Sequence, residues 1–187
     1  MARPRKISDE DVLEALAGQL ATQGPQALTF ASASSATGLS PATLVQRYGS
    51  REAMLRAGLL WMWDELNKQT AFLDATQSLD AEGAIGLLIR LSADYGGGDE
   101  AAQGLLLLRE DLRDPVVRAR GVAWNHTLSS ALGRRLSADA NGQERLGRLM
   151  ASQWQGAVLW WGFSREGTLR SYLRRELREW LSAVGVR

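Results

Sequence analysis

Apolar residues along this chain recur three and four positions apart, and the interruptions between them carry helix-capping residues rather than hairpin turns. The first such segment opens at Ser8, an N-cap residue, followed by Asp9, Glu10 and Asp11, whose charges favour the positive end of a helix dipole. Ile7 and Val12 stand at the spacing of a hydrophobic staple. Val12, Leu13, Leu16 and Leu20 form the apolar stripe, which Gly24-Pro25 ends. A short second helix is predicted from Phe30 to Thr37, behind Thr29 as its cap. Gly38 supplies a turn, and Ser40-Pro41 reads as N-cap and N1 proline of a third short helix ending near Tyr48-Gly49. Ser50 caps a long fourth helix running towards Phe72, with Leu55, Leu59, Met62 and Leu66 as its stripe.

Further helices are predicted over about 81–95, 100–111, 115–137, 142–163 and 169–184, and Asp114-Pro115 marks the third of these starts. Gly96-Gly97-Gly98 reads as a break. The last helix carries Leu169, Tyr172, Leu173, Leu177, Trp180, Leu181 and Val184 on one face. Arg170, Arg174 and Arg178 line another, the usual pattern of a solvated face. The sum is an all-α fold of about nine helices.

Composition narrows the function classes. At 187 residues the chain can build a sizeable core, or a small module joined to a larger one. No run approaches the ~20 uncharged apolar residues of a membrane span, and no apolar run follows the basic start, so a secretory signal is not expected. The absence of cysteine excludes disulfides and fits a cytoplasmic setting. One histidine without clustered carboxylates makes a metal site unexpected, and no cofactor is expected either. The net charge is only +1, so a nucleic-acid signal has to be local. Arg3, Arg5 and Lys6 form a short basic arm, which reads equally as a groove-tracking segment or a solubilising tail.

Residues 29–48 have the outline of a helix-turn-helix: short helix, glycine turn, and a second short helix opening Ser40-Pro41-Ala42-Thr43. Two such helices bury too little surface alone, so the first helix of the chain is expected to pack beneath them. The run from Thr29-Phe30 through Ala36-Thr37-Gly38-Leu39-Ser40-Pro41-Ala42-Thr43-Leu44 to Tyr48-Gly49-Ser50-Arg51-Glu52-Ala53-Met54-Leu55 resembles the signature of the tetracycline-repressor (TetR) family of transcriptional regulators.

That resemblance implies an N-terminal three-helix DNA-binding head over residues 1–50, and a ligand-binding and dimerisation bundle over 51–187. It implies a phosphate contact at Thr29, and capping and backbone contacts at Ser40 and Thr43. Pro41, Ala42, Val45 and Gln46 fall where the family reads bases, and Gln46 has the chemistry to pair bidentately with adenine. Arg47, Tyr48 and Arg51 fall on backbone-positioning sites. Three positions depart from the pattern. Val45 stands for the usual tyrosine, Ala33-Ser34 for a large aliphatic followed by alanine, and Ala31 where a basic residue is frequent.

The remaining helices agree with the family less specifically. Trp154 to Phe163 is apolar nearly all round, so that helix is expected to be covered on two sides. One side would face its own protomer and the other a second copy, giving a homodimer through the last two helices. Gly147, Ala151 and Gly156 would allow close approach there. Met62, Trp63, Phe72, Trp124 and Trp154 are the candidates for lining an apolar effector pocket, though plain core residues have the same pattern. His126, opposite Trp124 and Leu128 on its helix, is expected at the surface.

The expected function is that of a ligand-responsive regulator on a near-palindromic double-stranded operator, a repressor released by a small apolar effector. Two alternatives stand beside it. One is a helical dimer of the same fold that has lost DNA binding; the other, an enzyme, lacks a phosphate cradle, a thiol or a recognisable His–carboxylate pair. Glu110 and Asp111 read as helix surface.

Overall fold

The computed structural model describes residues 7–93 and 100–186. The basic arm of Arg3, Arg5 and Lys6 and the Gly96–Gly98 break lie outside them. Among the described residues there are nine α-helices, one 3₁₀ turn and no strand. The helices are α1 (Asp9–Gln23), α2 (Phe30–Thr37), α3 (Pro41–Tyr48), α4 (Arg51–Thr76), α5 (Ala81–Leu91), α6 (Glu100–Arg113), α7 (Pro115–Leu136), α8 (Ala140–Ser164) and α9 (Leu169–Ala183). The 3₁₀ turn, Pro25–Ala27, follows α1.

Local capping sets most of these boundaries. Ser8 and Asp11 close a reciprocal box, the Asp11 N–H donating to Ser8 Oγ at 3.0 Å and the Ser8 N–H to Asp11 Oδ2 at 3.1 Å. Helix α5 stops at Leu91, short of the expected 95, where the Ser92 N–H turns to the Leu88 and Ile89 carbonyls. Helix α4 runs past Phe72 to Thr76, because Leu73 is buried and Asp74 holds Arg135.

Contacts group the chain into two compact units, residues 1–64 with 103–119, and 65–102 with 120–187. The division at 50/51 inferred from the sequence falls within the first of these units.

The first unit closes on one core. Val12, Leu16 and Leu20 of α1 meet Leu28, Ala33, Leu44, Met54, Leu55 and Leu59, with Val117 of α7 completing the cluster. Ala33, the small residue in place of a large aliphatic, is fully buried. Gly58 lets α4 press onto α1; a β-carbon there would lie 2.8 Å from Leu20 Cδ1. Two polar links join α4 to α6 and α7. Arg56 Nε donates to Asp114 Oδ2 at 2.6 Å, while Asp114 Oδ1 caps α7 by accepting from the Val116 and Val117 N–H groups. Trp63 Nε1 donates to Asp111 Oδ1 at 3.2 Å. Asp111 is thus half-buried against an indole, which corrects its reading as plain helix surface. Glu110, half-buried too, pairs with Arg109 at 2.9 Å.

The second unit is held by tryptophans and one buried arginine. Trp124 and Trp154 stand 6.3 Å apart with their planes tilted by 56°. Each indole N–H has a hydroxyl acceptor: Thr70 Oγ1 at 3.0 Å for Trp124 and Ser92 Oγ at 2.8 Å for Trp154. The Arg135 side chain has no exposed surface. Its Nη1 reaches Asp74 Oδ1 at 2.6 Å, and its donors also meet the carbonyls of Ser78, Asp74, Gln77 and Ala131, so the buried charge is fully partnered.

Helices α7 and α8 approach closely. A β-carbon on Gly147 would fall 2.0 Å from the Ser129 carbonyl oxygen, and one on Gly133 would fall 2.2 Å from that of Gln143. Gly147 and the buried Ala151 therefore serve packing within the chain rather than the contact with a second copy, which corrects that expectation. Gly156 alone of the three stands open.

Candidate nucleic-acid interface

The helix-turn-helix is built by four short-range devices. Thr29 Oγ1 accepts the Ser32 N–H at 3.0 Å, and Ser32 Oγ accepts the Thr29 N–H at 2.8 Å, which starts α2. Gly38 ends it at φ 72°, a left-handed turn that a β-carbon would penalise. Ser40 Oγ then accepts the Thr43 N–H at 3.1 Å and contacts Thr43 Oγ1 at 2.8 Å, starting α3 with Pro41 at N1. Gly49 closes α3, its N–H on the Val45 carbonyl.

With 100° between successive residues, α3 turns Leu44 inward and leaves the other face free. Pro41, Ala42, Thr43, Val45, Gln46 and Arg47 are exposed, Tyr48 is half-buried, and Thr29 is exposed at the start of α2. Small side chains at the first turn leave that end of α3 open to a phosphate backbone, and Ala42, Val45 and Gln46 share one outward face. All the candidate DNA contacts are exposed except Tyr48 and Arg51, which are half-buried.

Arg51 is engaged elsewhere. Its Nε donates to the Leu28 carbonyl at 2.7 Å, and its Nη2 to the Pro25 carbonyl, clamping the start of α4 to the link between α1 and α2. Nothing in the local sequence announced this, because the partners lie 23 and 26 residues away.

Arg47 has a partner too. Its Nη2 lies 3.1 Å from Oδ1 of Asp9, in the first turn of α1. The guanidinium also acts on the adjacent Tyr48 phenol. Burial raises the Tyr48 phenol above its ordinary value; Arg47 opposes the rise and the Asp9 carboxylate adds to it. The phenol therefore stays a neutral donor at physiological pH. Asp9 was legible only as a helix-start acid.

The effector-site candidates divide between the two units. Met62 and Trp63 are half-buried against the core of the first. In the second, Trp124 and Trp154 are neighbours inside the core, while Phe72 is 66% exposed and lines no interior. Trp161, on the same buried side of α8, keeps an indole N–H with no acceptor among the described residues. Arg170, Arg174 and Arg178 border an open groove along α9, and Arg178 forms a two-pronged pair with Glu82 of α5. On α8, Leu159, Trp160 and Phe163 are exposed at 44%, 64% and 74%, with Trp160 and Phe163 rings 5.5 Å apart. His126 is exposed, as expected.

No protein-family model matches this sequence, and no curated protein matches it. Solved structures do. A TetR transcriptional regulator from Legionella pneumophila superposes with a TM-score of 0.68 at 14% identity, covering 100% of this chain and 99% of its own. A transcriptional regulator from Saccharomonospora viridis, solved with choline, gives 0.69 at 19% identity over 92% and 94% of the two chains. The lauroyl-CoA complex of Thermus thermophilus FadR, a TetR-family repressor, gives 0.57 at 22% identity over 90% and 91%. The chain has the fold of the TetR-family transcriptional regulators.

Proposed function

We propose that this chain is a ligand-responsive transcriptional regulator that binds double-stranded DNA as a homodimer and is a repressor released by a small apolar effector. The observation that carries the reading is the outward face of α3. It presents Ala42, Val45 and Gln46 with Thr43 and Arg47, all exposed and none of them part of the core, while Tyr48 packs against that core. Two such heads related by a two-fold would meet successive major grooves of a near-palindromic operator about 34–36 Å apart.

Exposed Leu159, Trp160 and Phe163 support pairing of α8 and α9 with those of a second copy, since apolar patches of this kind mark association surfaces. The choline and lauroyl-CoA complexes of proteins with this fold support a sensing role. The unaccepted Trp161 N–H would give such an effector one polar anchor. This reading is non-enzymatic and places the protein in the cytoplasm. No helix among the described residues is long and apolar enough to cross a membrane.

One observation favours the reading as a helical dimer that has lost DNA binding: Arg51 and Arg47 are both engaged within the protein, which lowers the positive charge offered to phosphates. Fluorescence anisotropy with duplexes tiling the chain's own upstream region separates the two. A regulator prefers one near-palindromic duplex, and Gln46→Ala relaxes preference at one base pair by about 1–3 kcal/mol. Arg47→Ala weakens all duplexes alike and lowers the salt slope by about one. No preference for any tiled duplex over random sequence would leave the interaction-protein reading standing.

A further inference from the structure

The contact between Arg47 and Asp9 joins the reading helix to the first turn of α1. The pair is exposed on the carboxylate side, with Asp9 at 87% and Arg47 at 30% of their side-chain surface, and 3.1 Å separates Nη2 from Oδ1. Glu10, next to Asp9, is exposed in the same turn and forms no ion pair among the described residues, while Asp11 is committed to the Ser8 box. Arg47 is the only basic residue of α3. The cation best placed to meet a phosphate is therefore partly neutralised by a carboxylate of the same head.

We infer that Asp9 limits the affinity of this protein for DNA by holding Arg47 in an intramolecular ion pair that a phosphate must displace. The inference rests on the DNA-binding reading above. Its physics is a competition between two anions for one guanidinium. In the free protein Arg47 pairs with Asp9. On DNA a phosphate takes the place of Asp9, and the freed carboxylate is left beside a polyanion. Both changes subtract from binding. An exposed ion pair of this kind is worth little in stability, but the same small energy enters the dissociation constant directly. Asp9 also favours the start of α1 through the helix dipole, so its removal weakens the fold slightly while strengthening the complex. Opposite signs in the two measurements separate this role from a purely structural one.

The test uses the full chain and a random-sequence 30-base-pair duplex at low salt, because phosphate contacts do not depend on sequence. Asp9→Asn is expected to tighten binding by about two- to fivefold while lowering the thermal midpoint slightly. Glu10→Gln, which removes a neighbouring charge that does not hold Arg47, is expected to change binding by less than about half as much. In an Arg47→Ala background the gain from Asp9→Asn is expected to shrink to that of Glu10→Gln. Unchanged or weaker binding by Asp9→Asn, an equal gain from Glu10→Gln, or a gain that survives in Arg47→Ala would each overturn the inference and leave the DNA-binding reading intact. Failure of the wild-type chain to bind the duplex at all would overturn both.

Discussion

Asp111 is the group whose replacement tests the packing of the first unit most directly. Its carboxyl is pushed up to about 6 from an ordinary 3.8, chiefly by burial, with the Trp63 hydrogen bond opposing the rise and the charge of Glu110 adding to it. The folded state thus holds this proton to a higher pH than the unfolded chain does. The contribution of Asp111 to stability is full below 3.8 and is lost as pH rises through about 6. The gap corresponds to at most about 3 kcal/mol, and partial exposure cuts that to about 1.5. Asp111→Asn removes the charge and keeps an oxygen for the Trp63 N–H, although the weaker neutral bond returns about 0.5 kcal/mol. The variant is therefore expected to be more stable than wild type by about 1 kcal/mol at pH 8, with the difference falling to a few tenths near pH 4.5. Urea unfolding at both pH values, followed by circular dichroism at one protein concentration, reads the difference as a shift in midpoint at constant slope. A variant less stable than wild type at pH 8, or equally stabilised at both pH values, would refute the reasoning.

Asp74→Ala strands the Arg135 guanidinium in the interior and is expected to cost about 3 kcal/mol in urea unfolding; adding Arg135→Met should recover most of that loss. Gly147→Ala sets a methyl group against the Ser129 carbonyl and should lower stability by about 1–3 kcal/mol, whereas Gly18→Ala, which meets nothing within 4 Å on α1, should raise it by up to about 1, both read from thermal midpoints. The Trp160→Glu, Phe163→Glu double variant should give the 20.5 kDa mass of a single chain by light scattering, where wild type gives twice that; an unchanged dimer would mean that this face of α8 is not the contact.

The elements of the helix-turn-helix were legible because each boundary is a matter of a few adjacent residues. Thr29, Gly38, Ser40-Pro41 and Gly49 set the ends of α2 and α3 through hydrogen bonds and backbone angles that involve neighbours within four positions. The inward turn of Leu44 and the outward turn of Gln46 then follow from helical periodicity. Such features survive in the local pattern whatever the rest of the chain does. The partners of charged and small residues do not. Arg51 meets carbonyls 23 and 26 positions back, Asp111 meets an indole 48 positions away, and Arg135 meets a carboxylate 61 positions away. Gly147 had the look of an interface residue, yet it is filled by a neighbouring helix of its own chain. Periodicity along a helix says which residues share a face, but only the packing of helices says what that face meets. Where a guanidinium or a carboxylate ends its reach is decided by desolvation and by which partners the tertiary fold brings within hydrogen-bonding distance.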